Sequence, residues 1–185
     1  MRLFVACCVD TAAATRLHAA LEPARTRYRG GAYRWTPPVS YHVTLRFFGE
    51  LAQDVVERIA ECVRPIADRA APIDCSASRL LALPGERRPA VVAVAIESKG
   101  RVEALAAQLN AAFDAQFGKP DKSFKAHLTV IRCRRGARFT APVDSVDVRF
   151  GITDVALFES AASNDGPRYT PLRTFRLGGD QVSPS

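Results

Sequence analysis

Polar and apolar residues alternate almost one for one in "YHVTLRFF", residues 41–48. Tyr41, Val43, Leu45 and Phe47 have one parity; His42, Thr44 and Arg46 have the other. A period of two sends neighbours to opposite faces, so the stretch predicts a strand with one face on a core. "AHLTVIRC", residues 126–133, repeats the pattern. "RLFVACCV", residues 2–9, is apolar nearly throughout and predicts an opening strand. Residues 11–28 predict a helix, with Thr11 as its cap and Leu17, Ala20 and Leu21 on one face. Residues 52–70 also have a helical period, which Pro65 could kink or end. Residues 72–84 and 90–98 predict two strands flanking the turn "GERRP". In residues 100–118, Val102, Leu105, Leu109 and Phe113 share a helical face and Gly118 ends it. Residues 145–160 and 168–177 predict a closing pair of strands, and residues 179–185 a loose tail.

The order of elements repeats. A strand, a helix and a His-x-Thr strand occur in residues 2–49 and again in residues 90–133. The two motifs read His42-Val43-Thr44-Leu45 and His127-Leu128-Thr129-Val130. This predicts an old duplication and two similar lobes. On each strand the His and Thr side chains point the same way. If the two strands lie side by side, two imidazoles and two hydroxyls converge on one cleft. Hydroxyls donate well to phosphate oxygens. Imidazoles on opposite sides of a phosphorus can deprotonate an attacking oxygen and protonate a departing one. Histidine suits this because its ordinary pKa near 6.5 allows either protonation state near neutral pH.

Composition changes the picture in three ways. The chain has 185 residues, 48% hydrophobic and 24% charged, which fits one compact globular domain over residues 1–178. No apolar run approaches the roughly 18 residues that span a bilayer, and the start reads as a strand rather than a signal peptide. Five cysteines without a C-x-x-C fit reduced thiols in a cytoplasmic protein. The formal charge is +7. Residues 119–138 hold seven bases (Lys119, Lys122, Lys125, Arg132, Arg134, Arg135, Arg138) against Asp121, around the second motif. Such a field speeds the arrival of a polyanion such as RNA.

Other residues add less. Arg132 lies on the opposite parity from His127 in a regular strand; a bulge would turn it towards the phosphate, where it could stabilise developing charge. Arg46 shares the parity of His42 and is a possible substrate contact. Among Trp35, Phe47, Phe48 and Tyr169, which could stack on a base, Phe48 has the parity of the cleft and Phe47 that of the core. His18 has no polar partner in its pattern and reads as structural. Cys133 and His127 lack a recognisable third ligand, so no metal site is expected.

"RLFVACCVD", "RWTPPVSYHVTLRFFGEL", "FKAHLTVIRCR", and "VALFES" followed by "RYTPLRTFRL" together resemble the two-histidine (2H) phosphoesterases. Within them the chain is similar to the RNA 2′,3′-cyclic phosphodiesterases, historically called 2′-5′ RNA ligases. The resemblance implies an α+β, bilobal, pseudo-two-fold fold with two antiparallel sheets lining a central cleft and helices outside. It implies hydrolysis of a terminal 2′,3′-cyclic phosphate, on RNA or a nucleotide, to the 2′-phosphate. It implies no metal or other cofactor. Apart from the resemblance, no membrane partner and a monomer are expected. Carried over residue by residue, it makes His42, Thr44, His127 and Thr129 active-site residues and places Arg132 on the phosphate. His42 would protonate the leaving 3′-oxygen and His127 would activate water. Ligase activity, also associated with the family, would use the same phosphate centre. Ala126 departs from a common proline, and Tyr41 from a common aliphatic. Two other readings remain: a related 2H enzyme acting on a 2′-5′ oligonucleotide or a cyclic ADP-ribose phosphate, and a non-catalytic RNA- or nucleotide-binding module.

Overall fold

The computed structural model describes residues 1–120, 123–140, 146–163 and 166–178. The expected tail (179–185), and Asp121 and Lys122 of the basic segment, lie outside the described residues.

Nine strands form one antiparallel sheet among these residues. They are β1 (Arg2–Cys8), β2 (Tyr33–Trp35), β3 (His42–Glu50), β4 (Ile73–Leu83), β5 (Val91–Glu97), β6 (His127–Cys133), β7 (Val148–Ile152), β8 (Asp154–Ala161) and β9 (Arg168–Arg176). Their order is β7-β4-β5-β6-β3-β1-β8-β9, with β2 added along β6. The two motif strands meet at the centre, through the single pair Val43 and Leu128. The two expected sheets are therefore the two halves of one sheet. Outward from the junction, β3-β1-β8-β9 answers β6-β5-β4-β7, with β1 beside the first motif strand and β5 beside the second.

The helices are α1 (Thr11–Ala20), α2 (Glu22–Arg27), α3 (Val55–Arg69) and α4 (Arg101–Phe117). The helix expected over residues 11–28 is two. Asp10, not Thr11, caps α1, accepting from the Ala13 N–H at 2.7 Å. Pro23 then opens α2, at a position where its missing N–H is tolerated. Pro65 does not end α3, which buries Val56, Ile59, Ala60, Val63 and Ile66 along one face. No helix among the described residues is long and apolar enough to cross a membrane. The helices cross between halves. α1 leaves β1 and packs on β7, where the Arg16 guanidinium donates to the Arg149 carbonyl at 3.1 Å. α4 leaves β5 and packs on β3 and α3. One continuous core results.

The run expected as one strand over residues 145–160 is two strands on distant parts of the sheet. β7 pairs with β4 at one edge and β8 with β1. β8 and β9 do form the closing pair.

Two irregularities aim the site. Along β1 and β3 the register passes from Ala6 opposite Thr44 to Val5 opposite Arg46, skipping Leu45. Along β5 and β6 it passes from Ala93 opposite Thr129 to Val92 opposite Ile131, skipping Val130. In each strand the extra residue follows the threonine and inverts the parity of the residues just beyond it; in β3 a second shift, past Phe48, reverses it again before Gly49. His42, Thr44 and Phe47 therefore share one face, as do His127, Thr129 and Arg132.

Candidate active site

Antiparallel pairing at Val43 and Leu128 puts all four motif side chains on one face of the sheet, opposite those two buried residues. The register draws Thr44 towards His127 and Thr129 towards His42. Their face opens on a cavity of about 1340 Å³, lined by His42, Thr44 and His127 among others.

The two imidazoles are tethered alike. His42 Nδ1 lies 2.7 Å from the Ser40 carbonyl oxygen, and His127 Nδ1 lies 2.7 Å from the Lys125 carbonyl oxygen. A carbonyl offers no proton, so each Nδ1 carries one and donates it. Each Nε2 is left as the position that exchanges protons.

Arg132 is turned to the cleft by the Val130 bulge. Its guanidinium donates to the Tyr169 hydroxyl at 2.8 Å. That tyrosine comes from β9 in the other half, and its ring stands edge-on to His42 with centroids 5.0 Å apart. Sequence parity alone had no way to pair β9 with β6.

The Leu45 bulge moves Arg46 and Phe48 away from the roles expected of them. Arg46 is 5% exposed, and its guanidinium is bonded to Asn110 Oδ1 at 3.0 Å and to the Gly118 carbonyl. It touches the cavity from α4's side, with both terminal nitrogens engaged and only its buried Nε lacking a hydrogen-bond partner among the described residues. Phe48 packs edge-on against Phe113 and Phe117. Phe47, expected in the core, is 50% exposed in the cleft wall with the Arg2 guanidinium over its ring. His18, expected without a polar partner, accepts from Arg25 at 2.8 Å across the break between α1 and α2. Trp35 Nε1 donates to the Tyr28 carbonyl.

Residues 9–164 match the family model of the 2′-5′ RNA ligase superfamily. The chain belongs to that superfamily. An RNA 2′,3′-cyclic phosphodiesterase of Archaeoglobus fulgidus is 29% identical over 95% of this chain and 99% of its own. One of Aquifex aeolicus is 27% identical over 79% of this chain and 82% of its own. Among solved structures, TT0787 of Thermus thermophilus superimposes with a TM-score of 0.84 at 27% identity, covering 97% of this chain and all of the other. E. coli LigT complexed with 3′-AMP gives 0.76 at 20% identity, covering 95% and 97%.

On this superfamily frame the electrostatics of the cleft are lopsided. Arg2, Arg34, Lys125 and Arg132 line it, and no carboxylate does among the described residues. The described residues also hold no group of three His, Cys, Asp or Glu side chains placed for a metal ion. His42 is pushed down to about 4. Burial is the main cause; the Ser40 carbonyl opposes it, and the charges of Arg132 and His127 add to it. Phe4, Phe158 and Tyr169 form the surrounding wall, with Phe4 5.0 Å from the His42 ring. At neutral pH His42 is therefore neutral. All five cysteines are free thiols, each held above its usual range chiefly by burial.

Proposed function

We propose that the protein hydrolyses the terminal 2′,3′-cyclic phosphate of an RNA to a 2′-phosphate, with His42 and His127 as its acid–base pair. One observation carries the reading: two His-x-Thr strands, each imidazole tethered through Nδ1 to a carbonyl two residues back, face one cation-lined cleft. The names of the relatives from A. fulgidus and A. aeolicus support it.

In the reaction, a water oxygen bonds to phosphorus as the P–O3′ bond breaks. One Nε2 takes the water proton, and the other gives its proton to O3′. Thr44 and Thr129 donate to the non-bridging oxygens, and Arg132 offsets the charge that gathers there. Phe47 presents an exposed ring to the base of the terminal nucleotide. The reading requires no metal ion. Because His42 is neutral near pH 7, His42 as acid must take up its proton as the phosphate arrives; the anion favours this by countering Arg132. An RNA 5′-hydroxyl in place of water would give a 2′-5′ linkage at the same centre.

The test uses an RNA oligonucleotide ending in a 2′,3′-cyclic phosphate, incubated with the protein and excess chelator. The expected product has a 2′-phosphate end, seen by phosphorus NMR, and the His42→Asn and His127→Asn proteins form none. A 3′-phosphate product, or activity only with added divalent metal, would overturn the mechanism. No product in any condition would favour a different phosphodiester or a binding role.

A further inference from the structure

At the rim of the cleft, three chain segments distant in sequence are tied together at the end of β6. The first is residues 29–34, leading into β2. The second is the β4–β5 turn, residues 84–90. The third is residues 132–140, following β6. The Arg134 N–H donates to the Ala32 carbonyl, Phe139 N–H to the Glu86 carbonyl, and Cys133 N–H to the Ala90 carbonyl, at 2.9, 3.1 and 2.9 Å. The Tyr33 hydroxyl donates to the Arg138 carbonyl at 2.6 Å. Phe139, 1% exposed, anchors the third segment against the Tyr28 ring, centroids 4.7 Å apart.

The tips of these segments are rich in arginine. Arg29, Arg87, Arg88, Arg134, Arg135 and Arg138 are all exposed, and Glu86 is the one acid in the three segments. Among the described residues none of these six arginines forms an ion pair within the protein. Six like charges on a firmly seated base repel one another and cost stability unless something negative covers them. They are also continuous with the cleft. Arg34 on β2 lies opposite Arg132 on β6, and both line the cavity that holds the two histidines.

We infer that this arginine shelf binds the phosphate backbone of the RNA upstream of its reacting 3′ end. This rests on the function proposed above and extends it: the substrate class is an RNA strand several nucleotides long, rather than a cyclic mononucleotide. The terminal phosphate sits at the histidines, and the strand leaves past Arg34 and Arg132 onto the shelf. Arginine forks pair with phosphate oxygens in two-donor geometry. The pre-folded base spares the ordering entropy that a loose basic loop would lose.

The test compares two substrates, a 2′,3′-cyclic mononucleotide and a hexanucleotide ending in a 2′,3′-cyclic phosphate. The variant is Arg87→Gln/Arg88→Gln/Arg134→Gln/Arg135→Gln, which touches none of the residues assigned to catalysis. Its KM for the hexanucleotide should rise roughly tenfold or more at moderate salt, and the salt dependence of log kcat/KM should flatten by up to ~0.7 for each phosphate that is no longer neutralised. Its kinetics on the mononucleotide should not change, and its melting temperature should rise slightly or hold, because four mutually repelling charges are gone. Equal loss on both substrates, or no loss on either, overturns the shelf. If the unmodified protein turns over neither substrate, the proposed reaction fails separately. Fluorescence anisotropy of a labelled hexanucleotide then decides the shelf alone, by whether the fourfold variant binds it more weakly.

Discussion

His42 and His127 sit in strands with the same backbone but different walls. Both are tethered to the carbonyl two residues before, and both are followed by a threonine and then a bulged residue. Around His42 the wall is aromatic. Beside β3, the cleft-facing residues of β1 are Ala6, opposite Thr44, and Phe4, opposite Phe47. Phe158 on β8 stacks on Phe4 with centroids 5.1 Å apart. Beside β6, the corresponding residues of β5 are Ala93, opposite Thr129, and Val91, opposite Arg132. Ala95 lies opposite His127. Five places after each histidine, one strand has Phe47 and the other Arg132. Backbone symmetry thus places two equivalent imidazoles, while the neighbouring side chains make one half apolar and the other cationic. An acid–base pair needs that difference, because two identical imidazoles would compete for the same proton.

The largest expected effect comes from removing either member of the pair. An Asn at position 42 or 127 can keep the tether through its amide N–H but cannot exchange a proton. His42→Asn and His127→Asn should each lower kcat by a factor of about 10²–10⁴, with cooperative thermal unfolding retained. Loss of cooperative unfolding in either protein would make that histidine structural.

Next comes the cationic residue that only one half possesses. Arg132→Ala should lower kcat/KM on the order of 10²-fold, because it removes two-donor charge stabilisation at the phosphate. The side chain is exposed, so the fold should survive. Arg132→Lys should recover only part of the loss, since an ammonium lacks the planar fork. Full recovery would show that charge alone matters there.

The aromatic wall should also be visible without substrate. The unfolded chain protonates His42 near 6.5, whereas the folded protein does so only at about 4. Between those values the unfolded state holds more protons, so stability falls as pH falls through this window. By about pH 5 the loss from this one ring is roughly 1–2 kcal/mol, allowing for its partial contact with water. Urea unfolding at pH 7 and pH 5 should show that much less acid sensitivity in His42→Asn than in the parent. Equal acid sensitivity in the two would mean that the ring titrates normally.

The parts of the site legible in the sequence were those set by local spacing. A histidine and a threonine two apart on a strand must share a face, so His42 with Thr44 and His127 with Thr129 needed no tertiary knowledge. The strand–helix–strand order similarly anticipated two matching halves of the sheet. What lay beyond each threonine was not legible, because nothing in the side chains of Leu45 or Val130 marks them as extra residues in the ladder. The bulges exchange the expected places of Phe47 and Phe48, turn Arg46 towards Asn110, and turn Arg132 to the cleft. Likewise, no local pattern separates β7 from β8. Only partner strands at opposite parts of the sheet reveal that residues 148–161 change halves at Thr153.

Tyr169 gives the smallest expected effect and the most direct probe of how the halves are joined. Its hydroxyl accepts from Arg132 in the cationic half, while its ring belongs to the aromatic wall of His42. Tyr169→Phe removes the first contact and keeps the second. The loss of one charge-assisted hydrogen bond should lower kcat/KM roughly fivefold, about 1 kcal/mol. The acid sensitivity of stability should stay as in the parent, because the ring still excludes water from His42. In an Arg132→Ala background the same substitution should do nothing further, since the hydroxyl then has no guanidinium to hold. An undiminished fivefold loss in that background would mean that Tyr169 acts on the substrate itself and not through Arg132.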